Sequence, residues 1–136
     1  KGLRLREATA AETFPVGHTF RIGDIAIHAC EIPHDAHQVA LRFESESGCL
    51  ALVTDLGHVP KGLFRFLDGC DWLLLESNHD EEMLANGPYP TTLKRRVGGR
   101  RGHLSNAQAS DLLAALPHAP SEVVLMHLSE TNNSAM

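Results

Sequence analysis

Apolar and polar residues alternate from Val39 to Glu44 with the two-residue period of a half-buried strand. Leu50–Thr54 and Trp72–Leu75 are instead continuous apolar runs, short enough for strands buried on both faces. Thr19–Ile22 and Ile25–Ile32 flank Gly23-Asp24, which predicts a tight hairpin. Ser45–Gly48 predicts the turn between the next two strands. Pro60 suits the first position of a helix running to about Leu67. Short helices are predicted at Asp80–Ala85 and Thr92–Val97, around the turn-rich Asn86-Gly87-Pro88-Tyr89-Pro90. Ser105-Asn106-Ala107-Gln108 has the form of a capping box. It opens a helix to about Leu116, closed by Pro117 and Pro120. Val123–Met126 is the last predicted strand. Hairpins followed by strand–helix–strand units predict one α/β domain with a mixed sheet.

Four of these strands share an ending. Ile27–Ile32 runs into Pro33-His34-Asp35, and Leu50–Thr54 into Asp55. Leu73–Leu75 runs into Glu76-Ser77-Asn78-His79-Asp80, and Val123–Met126 into His127-Leu128-Ser129. In a mostly parallel sheet the carboxyl ends lie on one edge, where α/β proteins place their sites. Imidazoles and carboxylates converging there suit Zn²⁺ or Mn²⁺. A cation also offsets the cost of burying a carboxylate such as Asp55. Taken singly, each residue has a plainer role. Asp55 fits a turn or helix-capping carboxylate, and His127 a hydrogen-bonded strand-end histidine. His34 and His37 fit a loop, and Asn78 or Asp80 fits the cap of the following helix.

Composition narrows the function. The 136 residues suffice for one domain with a real core, and 43% hydrophobic against 21% charged residues is a globular balance. A net charge of −5 excludes a general polyanion binder, so nucleic-acid contact needs a local patch. Lys94, Arg95, Arg96, Arg100 and Arg101 supply one, although a solvated helix face and loop would look the same. Tyr89 is the one aromatic nearby and Trp72 reads as core, so backbone phosphates rather than bases are the expected contact. No apolar run reaches the roughly 20 residues of a membrane span. The basic start carries no apolar run of a signal peptide. Cys30, Cys49 and Cys70 are odd in number, far apart and free of any CxxC, which predicts reduced thiols in a cytoplasmic protein. No GxSxG occurs, which argues against a serine hydrolase.

IPHDAH (32–37), TDLG (54–57), ESNHDEEML (76–84), GPYPTTLKRRV (87–97), GHLSN (102–106) and HLSETNN (127–133) follow one another along the chain. In this order they resemble the C-terminal half of a metallo-β-lactamase-fold hydrolase. More narrowly, they resemble the YycJ/WalJ branch, related in fold to ribonuclease Z. The resemblance implies that residues 1–136 form the C-terminal portion of an αββα sandwich, a mixed sheet with flanking helices. It implies a metal-dependent phosphodiester hydrolase, a nuclease with DNA ahead of RNA as substrate, working with two divalent ions, Zn or Mn. By position, His34 matches a metal-binding histidine, Asp55 the carboxylate that bridges two ions, and His127 the final histidine ligand. His103 matches a histidine beside the metals that handles phosphate or a proton. Glu76, and after it His79 and Asp80, are candidates to orient ligands through hydrogen bonds. The family signature HxHxDH is absent from the 136 residues. The expectation is therefore a fragment, a partner-completed half or a truncated gene product that lacks its N-terminal half, with partial or no metal in this chain and no activity by this chain alone. The alternatives are a non-catalytic remnant, an RNA-processing enzyme or a small-molecule metallo-hydrolase.

Overall fold

The computed structural model describes residues 13–134. Among them, six strands form one sheet in sequential order. β1 (Thr19–Ile22), β2 (Ile25–Ile32), β3 (Gln38–Ser45) and β4 (Gly48–Val53) make an antiparallel meander. β5 (Trp72–Glu76) then adds parallel to β4, and β6 (Glu122–Met126) parallel to β5. The crossover from β4 to β5 carries α1 (Lys61–Leu67). The crossover from β5 to β6 carries α2 (Glu81–Asn86), α3 (Thr91–Val97) and α4 (Asn106–Ala114).

The predicted elements are all present, with small shifts at their ends. Pro60 is the cap of α1 rather than its first residue, because its backbone is extended at φ −77° and ψ 149°. The Ser105 capping box is complete: its hydroxyl accepts from the Gln108 N–H, and the Gln108 side chain accepts from the Ser105 N–H. α4 stops at Ala114, two residues short of the predicted Leu116.

One face of the sheet is closed. Ala51 and Val53 of β4 and Leu73 and Leu75 of β5 pair side by side and are buried with Leu63, Leu67 and Leu112 of α1 and α4. Each fully buried leucine contributes roughly 1.5–3 kcal/mol of transfer free energy. Arg42 also lies on this face, where its guanidinium donates to the Phe66 and Asp68 carbonyls at the C-terminus of α1. A cation there offsets the exposed carbonyls of the helix end.

The other face is open. Register aligns Leu41, Leu52, Leu74 and Val124 in one row, and Phe43, Leu50 and Trp72 in the next. None of the seven is buried, and Val124 is 54% exposed. β6 is exposed on both faces, with Leu125 at 50%.

Strand direction decides where the chemistry gathers. β3 runs against both β2 and β4, so β2, β4, β5 and β6 all point the same way. Their carboxyl ends share one edge, as the mostly parallel reading required. β3 begins at that edge, with Gln38.

Candidate metal centre

Register levels the three parallel strands. Val53 pairs with Leu75, and Glu76 with Met126. Asp55 and His127 therefore stand just beyond the two strands that flank Glu76. Both have left-handed backbones, with φ 60° for Asp55 and 57° for His127. A non-glycine residue held there costs on the order of 1–3 kcal/mol, and such strain collects at functional sites. It turns the chain over the sheet edge at both places.

Two glycines allow further segments to close in. A Cβ on Gly57 would collide with the Arg100 carbonyl, and one on Gly102 with the Arg96 and Val97 carbonyls. The TDLG stretch thus packs on the Arg100–Arg101 backbone just before GHLSN, and Gly102 packs on the end of α3, which together bring His103 to the same edge.

Three imidazoles surround one oxygen. Asp55 Oδ1 lies 3.8 Å from His34 Nε2, 3.7 Å from His103 Nδ1 and 3.8 Å from His127 Nδ1. Gln38 donates to the other oxygen, Oδ2, at 2.7 Å. One ligand atom from each of Asp55, Glu76, His103 and His127 lies within 4.8 Å of the other three.

Glu76 is fully buried and its acceptors are all in use. Oε1 accepts from His103 Nδ1 at 2.8 Å and His127 Nδ1 at 2.7 Å. Oε2 accepts from the Leu56 N–H at 2.7 Å and the Leu104 N–H at 3.2 Å. Burial alone would raise its pKa. The His103 hydrogen bond, with those from Leu56, His127 and Leu104, outweighs burial and holds the carboxyl below its ordinary range. The same bond to Glu76 raises the His103 pKa against the opposing effect of burial, with Asp55 and Asp35 adding to the rise.

These contacts also set tautomers. His103 and His127 carry a proton on Nδ1 to reach Glu76, and His34 Nδ1 donates to the Gly102 carbonyl at 2.9 Å. In their neutral form His103 and His127 then keep a lone pair on Nε2, whereas His34 Nε2 faces the Asp35 carboxylate at 3.1 Å. An outer hydrogen bond that fixes the ring in this way is the usual arrangement of a metal-binding histidine. Carboxylates and imidazoles gathered in this way fit a divalent metal ion. With Glu76 already held by four N–H donors, the remaining groups are too few to complete the coordination of two ions.

A polar network holds His127 from behind. Asn78 Nδ2 donates to the His127 carbonyl at 2.8 Å. Asn133 Nδ2 donates to the Ser77 and Asn78 carbonyls, and Ser77 donates to Asn106 Oδ1.

Of the residues singled out in the sequence, His34, Asp55, Glu76, His103 and His127 come together. Asp80 does not. Its carboxylate accepts from the Met83 N–H as the cap of α2. His79 is also elsewhere. It is buried with no partner on Nδ1, burial lowers its pKa, and it lines a cavity with Lys94, Arg95 and Gln108.

The basic run takes several partners. Lys94 and Arg95 of α3 line one cavity with His79, while Arg96 turns to Asp35. Lys94 donates to the Ala85 carbonyl, and Arg96 pairs with Asp35 at 2.6 Å. That hydrogen bond holds the Asp35 carboxyl below its ordinary range. Asp35 in turn reaches His34 Nε2 at 3.1 Å. Arg100 meets His58 Nε2 at 3.0 Å, and Arg101 lines the cavity beside His34.

Sequence reasoning missed Gln38, whose signal was its place at the start of a strand that begins on the site edge. It treated Asn78 only as a possible helix cap. Asn133, in HLSETNN, carries no signal of its own in the sequence.

Residues 2–128 match the Beta-lactamase superfamily domain. An exodeoxyribonuclease WalJ of Streptococcus pneumoniae is 33% identical over 129 residues, covering 93% of this chain and 48% of that protein. An exodeoxyribonuclease YycJ of Bacillus anthracis is 35% identical over 122 residues, covering 88% and 46%. The chain thus spans about half the length of these curated relatives. Zn²⁺-bound PqqB from Methylobacterium extorquens superposes with a TM-score of 0.69 at 21% identity, over 89% of this chain and 46% of that one. The short form of human tRNase Z superposes with a TM-score of 0.60 at 15% identity, over 82% and 38%. The metallo-beta-lactamase fold protein YhfI from Bacillus subtilis superposes with a TM-score of 0.64 at 18% identity, over 86% and 42%, and this likeness shows the metallo-β-lactamase fold.

Proposed function

We propose that this chain, which belongs to the beta-lactamase superfamily, carries half of the active centre of a metal-dependent phosphodiester hydrolase, a DNA exonuclease in its complete form. The observation that carries the reading is the ring of three imidazoles about Asp55 Oδ1, with Glu76 orienting two of them. The names of the curated relatives support the substrate class.

Asp55, His127 and His34 are the proposed metal ligands, with Asp55 the one placed to serve two ions. When bound, divalent ions supply charge stabilisation at the phosphoryl oxygens and lower the pKa of water. The chain's own residues do the rest. Gln38 fixes the Asp55 carboxylate by holding Oδ2. Glu76 uses both oxygens on four N–H donors, so its role is to orient His103 and His127 rather than to ligate. His103, its pKa raised by Glu76, holds a proton on Nδ1 and can present another on Nε2 to a leaving alkoxide. Arg101, beside His34, is the basic residue best placed to meet a backbone phosphate.

The missing donors come from a partner half bearing HxHxDH. The open sheet face supports this, since rows of half-exposed Leu41, Leu52, Leu74 and Phe43 make an apolar surface that a second layer would bury. By this reading the chain alone binds little metal and does not turn over. A second reading, a metal-binding remnant without catalysis, rests on the same shortage of donors. Cys30, Cys49 and Cys70 are free thiols, which fits a reducing cytoplasm. Among the described residues, no helix is long and apolar enough to cross a membrane.

The test is Asp55→Asn in the complete protein. Asparagine tolerates the left-handed backbone and keeps an oxygen for Gln38, so the fold survives. Loss of bound metal by elemental analysis, with loss of mononucleotide release from DNA, is the expected result. Full metal content and a near-normal rate would exclude the assignment. A parent without any DNA or RNA cleavage would favour the remnant.

A further inference from the structure

We propose that the cavity beside His103 and His127 receives the terminal nucleoside of the DNA strand, with Tyr89 as its stacking face. This rests on the phosphodiesterase reading above and adds where the strand ends.

The cavity is about 320 Å³, and its walls include His103, His127, Asn78, Ser129, Glu130 and Tyr89. Two walls are thus imidazoles of the candidate centre. A ligand seated here lies directly against the position of the scissile phosphate.

Tyr89 is the only tyrosine in the chain, and it is held in place. Pro88 and Pro90 restrict the backbone on either side. Gly87 packs so closely on Asn132 Oδ1 and the Met83 carbonyl that a Cβ would not fit. A half-buried aromatic on a stiff support offers a flat face at little entropic cost. Aromatic stacking accepts any base, as an exonuclease requires.

Charge says which part of the strand fits. Among the described residues no lysine or arginine lines this cavity, and Glu130, a carboxylate residue, does. A continuing strand would bring a second phosphate against that carboxylate, at a Coulombic cost. A terminal hydroxyl would instead donate to it. Ser129 Oγ accepts from the Thr131 and Asn132 N–H groups, so its hydroxyl hydrogen is left for a sugar or base acceptor. Arg101, by contrast, lines the cavity on the His34 side. The strand therefore runs from the Arg101 side, past the histidines, and ends at Tyr89.

The experiment uses single-stranded DNA oligonucleotides with 2-aminopurine at either terminus or at an internal position, with a chelator present so that nothing is cut. The expected result is fluorescence quenching for one terminus and not for the internal probe. Tyr89→Ala removes the quenching and weakens binding by about 5- to 150-fold, the range of one base–aromatic stack. Tyr89→Phe keeps both. Equal quenching at internal and terminal positions, unchanged affinity in Tyr89→Ala, or loss in Tyr89→Phe would overturn the proposal. Both measurements use the complete protein, and its mononucleotide release with metal, measured in parallel, separates the two ideas. Turnover without terminal quenching removes the pocket and leaves the hydrolase. Terminal quenching that depends on Tyr89, without turnover, keeps the pocket and removes the hydrolase.

Discussion

The side-chain amide of Asn78 donates to the main-chain carbonyl of His127 at 2.8 Å, and so props the left-handed backbone that turns His127 over the end of β6. Asn78 reaches no metal in this scheme, yet the direction of the His127 ring depends on it. Asn78→Ala is expected to weaken metal affinity in the complete protein by about 10–100-fold, the usual effect of removing a support behind a ligand. Stability should fall by only about 1–2 kcal/mol. Titration calorimetry with Zn²⁺ and chemical denaturation check the two together. A stability loss without any change in affinity would make Asn78 a fold residue only.

Glu76 gives a sharper case, because all four of its partners are donors. Glutamine has one acceptor oxygen and an NH₂ group, so with its oxygen on the Leu56 and Leu104 N–H groups its NH₂ meets Nδ1 of His103 and His127, and both rings must move their proton to Nε2 to accept it. Glu76→Gln is expected to cost about 1–3 kcal/mol, since four hydrogen bonds to a carboxylate become hydrogen bonds to a neutral amide. Urea denaturation measures it, and a change below about 0.5 kcal/mol would contradict the network.

His103 separates proton donation from phosphate placement. In the complete protein, His103→Ala should lose about 10²–10⁴-fold in rate on DNA. On a nitrophenyl phosphodiester, whose leaving group needs little protonation, the loss should be much smaller. Equal losses on both substrates would leave His103 to phosphate positioning, and loss of a metal ion would make it a ligand.

The Glu44–Arg42 pair predicts a pH dependence away from the centre. Arg42 donates to Glu44 at 2.8 Å, and this hydrogen bond lowers the Glu44 pKa below its ordinary 4.5. A carboxyl whose folded pKa is depressed stabilises the fold above its unfolded pKa, and that contribution is lost as pH falls through the folded value. Thermal melts of the wild type should therefore lose stability below about pH 4.5, more steeply than those of Glu44→Gln. The pair is partly exposed, so the difference should stay below about 1 kcal/mol. A steeper acid limb in Glu44→Gln would reverse the sign and refute the pairing.

What the sequence determined by itself was local. The two-residue alternation of Val39–Glu44, the apolar run Leu50–Thr54 and the Ser105 capping box each report on neighbours a few residues apart, and all became the elements they predicted. The polar endings of four apolar runs also marked the site edge, because a strand's last residues are set by where its apolar pattern stops. What only the tertiary structure decided was non-local. His103 and His127 share one oxygen of Glu76 from 27 and 51 residues away, and no periodicity carries a contact of that span. Gln38 joined Asp55 because β3 runs opposite to its neighbours, a fact of strand direction. The run Lys94–Arg101 looked like one basic patch in one dimension. In the structure Lys94, Arg96 and Arg100 take separate partners at Ala85, Asp35 and His58.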